Sequence, residues 1–115
     1  MGAEQFRAEA RGVGAEDAFF MAREQAFYDH GHSGYTGTIA EKSEYEIFDD
    51  LGGLSPEEFV YALERDDETN PAVAAASSTY NDTWGPCVAI LVEKYVDRVS
   101  QLDTQHWIFC GWASS

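Results

Sequence analysis

Lysine is nearly missing from this chain: Lys42 and Lys94 are the only two in 115 residues. With five arginines they face 21 acids, giving a formal net charge of −14 and a pI near 4.2. So few cations argue against direct nucleic-acid binding, where affinity comes from Lys and Arg against phosphate. They argue equally against anionic membrane surfaces. Cysteine is also scarce, with Cys87 and Cys110 alone. Two thiols make no secreted disulfide framework and suit a reducing cytoplasm, the expected location. No apolar run approaches the roughly eighteen residues that a membrane span needs. The opening MGAEQFRAEARG lacks a basic stretch followed by an apolar one, so no secretory signal is expected. Phe6 stands where a myristoylation signal wants Ser or Thr.

The chain is nonetheless 44% hydrophobic and 14% aromatic, which argues against disorder. Its length fits one domain with a modest core. Residues 4–13 alternate Phe6, Ala8, Ala10 against Arg7, Glu9, Arg11, the period of a half-buried strand. Residues 15–30 read as a helix, with Glu16 and Asp17 in the first turn where the dipole favours them, and Gly31 as its C-cap. Where the segment after it is only a cap, turn and strand entry, His30 is expected to pack near Phe19 and Ala26. The segment 39–48 resembles a strand or short hairpin, with a turn near Lys42 and Ser43. A second helix begins at Ser55, where Pro56 fits the first helical position and Glu58 completes a capping box. It is expected to end near Arg65. A third helix starts at Asn70-Pro71 and is expected to run through AVAAASSTY (72–80), with Gly85-Pro86 as the stop beyond it. CVAILV and HWIFCGWA, apolar on both faces, read as buried strands, the last one central in the sheet. The intervening VDRVSQLDTQ fits either a loop or an extended hairpin arm. The sum is α+β: a single domain over 1–115, with a small antiparallel sheet, one packed N-terminal helix and an acidic helical insert at about 49–82.

Residues 44–68 hold ten carboxylates against one cation, Arg65. Such density repels itself and weakens the compact state, so it calls for an offsetting benefit. Two readings stand: solvation, including adaptation to high salt, and a surface for a basic partner. Residues 55–68 as a helix would span ~21 Å and carry a carboxylate every ~3.5 Å, against one phosphate per ~3.4 Å of a DNA strand. A nucleic-acid mimic is therefore one form of the second reading. Its contact residues would be Asp49, Asp50, Glu57, Glu58, Glu64, Asp66, Asp67 and Glu68, with Tyr61 or Trp84 as the aromatic anchor.

The stretch from His30 to Thr38 is the other site-like feature. Gly31, Gly34 and Gly37 can expose backbone N–H groups, and His30, His32, Ser33, Tyr35, Thr36 and Thr38 add polar side chains. Such a loop can cradle a phosphate or small anion. It can equally be a helix C-cap, turn and strand entry. It is neither a Walker loop nor a dinucleotide fingerprint, since no Lys follows Gly37 and it follows a helix. No metal is expected: His30, His32, His106, Cys87 and Cys110 show no ligand spacing. No cofactor is expected, and no nucleophile motif accompanies the carboxylates, so an enzyme is the less favoured class.

Three segments carry a resemblance: GHSGYTGTIAEK (31–42), TWGPCVAI (83–90) and the C-terminal FCGWASS (109–115). Together with the first strand and helix they resemble a family of small phage and prophage proteins. The resemblance covers about half the chain and excludes the acidic segment. It implies an accessory protein working in the host cytoplasm, of the kind that blocks or diverts a host system such as bacterial defence. The partner would then be a basic protein or nucleoprotein complex of the host. A nucleotide-sequestering protein using the glycine loop and a virion assembly protein are the alternatives.

Overall fold

In the computed structural model, which describes residues 2–31 and 34–115, two inner strands organise everything else. Strand β3 (Cys87–Val96) and strand β4 (Asp103–Ser114) form a long antiparallel hairpin. VDRVSQLDTQ is its extended arm and tip, where Asp97 N–H donates to the Leu102 carbonyl at 2.9 Å. Strand β1 (Ala3–Gly12) pairs antiparallel with β4 along its whole length. On the far side β2 (Tyr45–Ile47) pairs with β3. The order is β1-β4-β3-β2, which puts β4 in the interior as its sequence requires.

The β2–β3 pairing is parallel, so the sheet is mixed rather than purely antiparallel. The physical reason is connectivity. Two helices lie between β2 and β3, and a crossover of that length returns the chain in the same direction. A second correction falls on 39–48. Residues Ile39–Glu41 form a single 3₁₀ turn, not a strand. The Thr38 side chain caps it by accepting from Ala40 N–H, which diverts the backbone from sheet pairing.

Alternation along the inner strands builds two cores. Cys87, Ala89, Trp107 and Phe109 face helix α1 (Ala15–His30), joined by Phe19, Ala22 and Ile39. Val88, Ile90, Ile108 and Cys110 face helices α2 (Pro56–Glu64) and α3 (Pro71–Tyr80), joined by Phe59, Val60, Leu63, Val73 and Tyr80. The fold is α+β, with the sheet sandwiched between helices on both faces. The acidic segment is thus the second helical layer. Because the strands alternate, Cys87 and Cys110 fall on opposite faces of the sheet and both thiols are free.

Local signals set the helix ends. Ser55 accepts from Glu58 N–H while the Glu58 carboxylate accepts from Ser55 N–H, completing the capping box. Helix α2 ends at Glu64, and Asp66 takes φ +57. Helix α3 ends at Tyr80, where the AVAAASSTY run ends; Asn81 caps it and its side chain donates to Ser77. Gly31 closes α1 with φ +80. His30 is exposed, against the expectation that it packs on Phe19 and Ala26. It sits in the last, outward-facing turn of α1.

Lys42 is the unexpected core residue, only 1% exposed. Its ammonium donates to the carbonyls of Asp82, Thr83 and Gly85 at 2.8, 3.0 and 3.0 Å, using all three of its donors. Burial pulls its pKa below the ordinary lysine value. One side chain therefore pins the turn before β3 to the segment entering β2.

Candidate partner-binding surface

Helix α2 turns Phe59, Val60, Ala62 and Leu63 inward, and this leaves Glu57, Glu58, Tyr61 and Glu64 facing out. Acidic loops flank it on both sides, 48–54 before and 65–70 after. The two loops are joined. Asn70, the N-cap of α3, donates from Nδ2 to the Gly52 carbonyl at 3.0 Å and accepts from Ala72 N–H at 2.9 Å. Gly52 has φ +63, and a Cβ there would collide with the Asn70 amide, so the clasp requires glycine. Between α2 and the second loop lies a shallow groove of about 310 Å³, lined by Leu54, Glu58, Tyr61, Arg65, Asp67 and Thr69 among others.

The acids there divide into two groups. Four have internal duties. Asp50 accepts from Gly52 N–H at 2.9 Å. Glu57 pairs with Arg7 of β1, and that hydrogen bond holds its carboxyl below the usual range. Glu58 is held low by the N-cap bonds to Ser55. Asp67 is held low first by Thr69, which donates from its hydroxyl at 2.8 Å, and then by Arg65 at 2.9 Å. The second group is Asp49, Glu64, Asp66 and Glu68, all exposed and with no side-chain partner among the described residues. Arg65, the cation of this segment, is occupied: it reaches Asp67 and lies 4.6 Å over the Tyr61 ring. That contact lays the guanidinium on the face of Tyr61, which is 58% exposed at the groove rim.

Trp84 belongs elsewhere. It is 71% exposed and meets Tyr35 edge-on, with centroids 6.3 Å apart. The structure thus groups Trp84 with the glycine loop, and Tyr61 is the aromatic that accompanies the acids.

The glycine loop holds an anion of its own. Thr36 donates to the Glu41 carboxylate from both N–H, at 3.1 Å, and hydroxyl, at 2.9 Å. Thr36 and Thr38 hydroxyls are 2.8 Å apart, and Thr38 also caps the 3₁₀ turn. Burial alone would raise the Glu41 carboxyl, but hydrogen bonds from Thr36 and the Tyr35 backbone outweigh it and leave the pKa lowered. Tyr35 has φ +66. Of the donors expected for a phosphate, Thr36 is directed at Glu41, Gly31 N–H at the Phe27 carbonyl and Gly37 N–H at the Ser114 carbonyl. His32 and Ser33 lie outside the described residues.

No cluster of three or more His, Cys, Asp or Glu suited to a metal is found among the described residues. The thiols are poor nucleophiles: burial pushes Cys87 up to about 12 and Cys110 higher still. No described helix is long and apolar enough to cross a membrane. No family model, no curated protein and no solved structure matches this chain.

The acids themselves were legible in the sequence. Sequence reasoning missed the Gly52–Asn70 clasp, the capture of Arg65 by Tyr61, and Glu41. The x-N-P start of α3 and the glycine pair in DDLGGL were the available signals for the clasp, but their pairing is a tertiary fact.

Proposed function

We propose that this protein is a phage-type accessory inhibitor that acts in the host cytoplasm by binding rather than by catalysis. The surface around α2 would dock on a basic, nucleic-acid-contacting face of a host protein or nucleoprotein complex, in the manner of a nucleic-acid mimic. The observation that carries this reading is the Asn70–Gly52 clasp. It ties the loop that holds Asp49 to the loop that holds Asp66 and Glu68, on either side of the helix that presents Tyr61 and Glu64, and these four acids are exposed. Such a face steers a positively charged partner toward it, and salt weakens the encounter. The nucleotide-loop reading is less well supported, because Thr36 already serves Glu41. Solvation alone would explain the charge, but it gives no reason for fixing the acidic loops to one another.

The test is capture from nuclease-treated host lysate by the tagged protein, beside a variant carrying Asp49→Lys, Glu64→Lys and Glu68→Lys. The reading expects a basic partner that the native protein retains at low salt, releases at high salt or on adding DNA, and that the variant does not retain. Equal retention by both would leave the acids with solubility as their sole role.

A further inference from the structure

Strand β1 is the open edge of the sheet. Its ten residues pair with β4 on one side, and among the described residues no backbone group pairs with its other side. Edge strands of that length invite pairing with another chain. The charges along β1 choose the partner. Gln5, Arg7, Glu9 and Arg11 point to one face, while Phe6, Ala8 and Ala10 point to α1. Glu4 and Glu9 balance Arg7 and Arg11, so this edge is neutral in a chain of net charge −14. Within each copy Arg7 also pairs with Glu57 of α2, and Glu9 lies 2.9 Å from His106, so contacts across the edge add to pairs that already exist.

We infer that two copies of the chain associate through β1, antiparallel about a two-fold axis at Ala8, to make one continuous sheet. That register sets Arg7 opposite Glu9 of the second copy and Glu9 opposite its Arg7, with Phe6 opposite Ala10. Opposite charges directly across a strand pair are favourable. Sliding two residues either way sets Arg7 against Arg7 or Glu9 against Glu9. Sliding one residue puts the charged face against the apolar one. The Ala8-centred register satisfies both charge and face, as an isologous interface must; an Ala10-centred one also sets Glu9 against Arg11 but pairs only residues 8–12 of the strand, where the Ala8-centred one pairs 4–12.

A second observation concerns α1, which packs over β1. Arg23 lies on the flank toward the 3₁₀ turn, donating to the Ala40 carbonyl. The opposite flank carries Met21, Gln25 and Tyr28 at i, i+4 and i+7. Gln25 and Asp29 line a groove of about 410 Å³ beside the free edge of β1. Met21, 50% exposed, and Tyr28, 88% exposed, stand outside that groove on the outer surface of α1. Joining two sheets at β1 puts the two α1 helices on the same face, side by side, so that these flanks cover one another.

The test is the oligomeric state by sedimentation equilibrium, up to about 100 μM, far above the micromolar Kd of a modest interface. The native chain should be dimeric. Arg7→Glu and Glu9→Arg should each weaken the dimer at least about tenfold, the 1.4 kcal/mol expected of losing such pairs. Mixing the two variants should restore it. In the mixed dimer the introduced glutamate of one copy meets the introduced arginine of the other, and the remaining native Glu9 meets the remaining native Arg7. Circular dichroism checks that each variant folds. If either fails to, Ala8→Cys in the native background decides, since the native thiols are buried and only the introduced thiol can cross-link at the two-fold. A monomeric native chain, a dimer indifferent to both charge changes, or a dimer that does not cross-link through the introduced thiol would overturn the inference.

Discussion

Asn70 and Gly52 are locked together, the Asn70 side-chain amide donating to the Gly52 carbonyl at 3.0 Å while its oxygen caps α3. One residue thus starts a helix and fixes the spacing of two acidic loops. Asn70→Ala should cost about 1–2 kcal/mol through loss of the cap, or roughly 4 °C in Tm for each kcal/mol. Asn70→Ser keeps a capping oxygen but loses the amide, so it should recover much of the stability. If the clasp shapes the binding face, Asn70→Ser should still weaken partner capture. Thermal melts beside the capture assay separate the two roles.

Lys42 offers a prediction about a charge that serves the fold alone. Lys42→Met keeps the chain length but strips three carbonyls of their donor in a site 1% exposed. Charged hydrogen bonds are worth about 1.5–3 kcal/mol each, and unpaired buried groups carry a further cost. A loss of at least about 3 kcal/mol is expected on that basis. Urea unfolding should show it as a lower midpoint with an unchanged slope.

Glu41 should make the glycine loop sensitive to acid. Its carboxyl titrates below the unfolded value, so its stabilisation is fully present above the ordinary glutamate pKa. That contribution is lost as pH falls through the folded, lowered pKa. Glu57, Glu58 and Asp67 act in the same direction. Glu41→Gln should therefore narrow the stability gap between neutral pH and the acid range. Melts across that range, native against variant, isolate the difference. An identical gap would mean that Thr36 contributes nothing through the charge.

Much of the fold was legible because its signals are local. The capping box at Ser55 and Glu58, the Asn70-Pro71 start and the acid-led first turn of α1 each lie within a few residues, and all three helices form where those residues place them. The interior position of β4 followed from its unbroken apolar run. What escaped was set at a distance. The three residues of β2 carry no pattern that tells parallel from antiparallel pairing, and Lys42 looks like a surface residue until carbonyls some forty positions away enclose it. Among the site residues, the acids and Tyr61 were readable as exposed. The engagement of Glu58 by Ser55 was readable as the capping box, but that of Glu57 by Arg7 and of Asp67 by Thr69 was not, because those partners are named only by the folded backbone.

Phe109 tests the two-sided core. It is fully buried in β4 and meets Phe19 edge-on at 5.4 Å and Tyr45 at 6.0 Å. Phe109→Ala should cost about 3–5 kcal/mol, and folded protein should be recovered poorly at 37 °C. Tyr28→Ala, on the exposed flank of α1, should move the monomer's urea midpoint by no more than about 0.5 kcal/mol equivalent.

The most direct measurement is partner capture by the native protein and by the Asp49→Lys, Glu64→Lys, Glu68→Lys variant, in parallel, from nuclease-treated host lysate across a salt series. The three acids have no side-chain partners among the described residues, so the variant should melt within a few degrees of the native protein. The account expects a basic partner on the native protein alone, lost as salt rises and displaced by added DNA. A partner held equally by the folded variant, or one indifferent to salt and DNA, would contradict it.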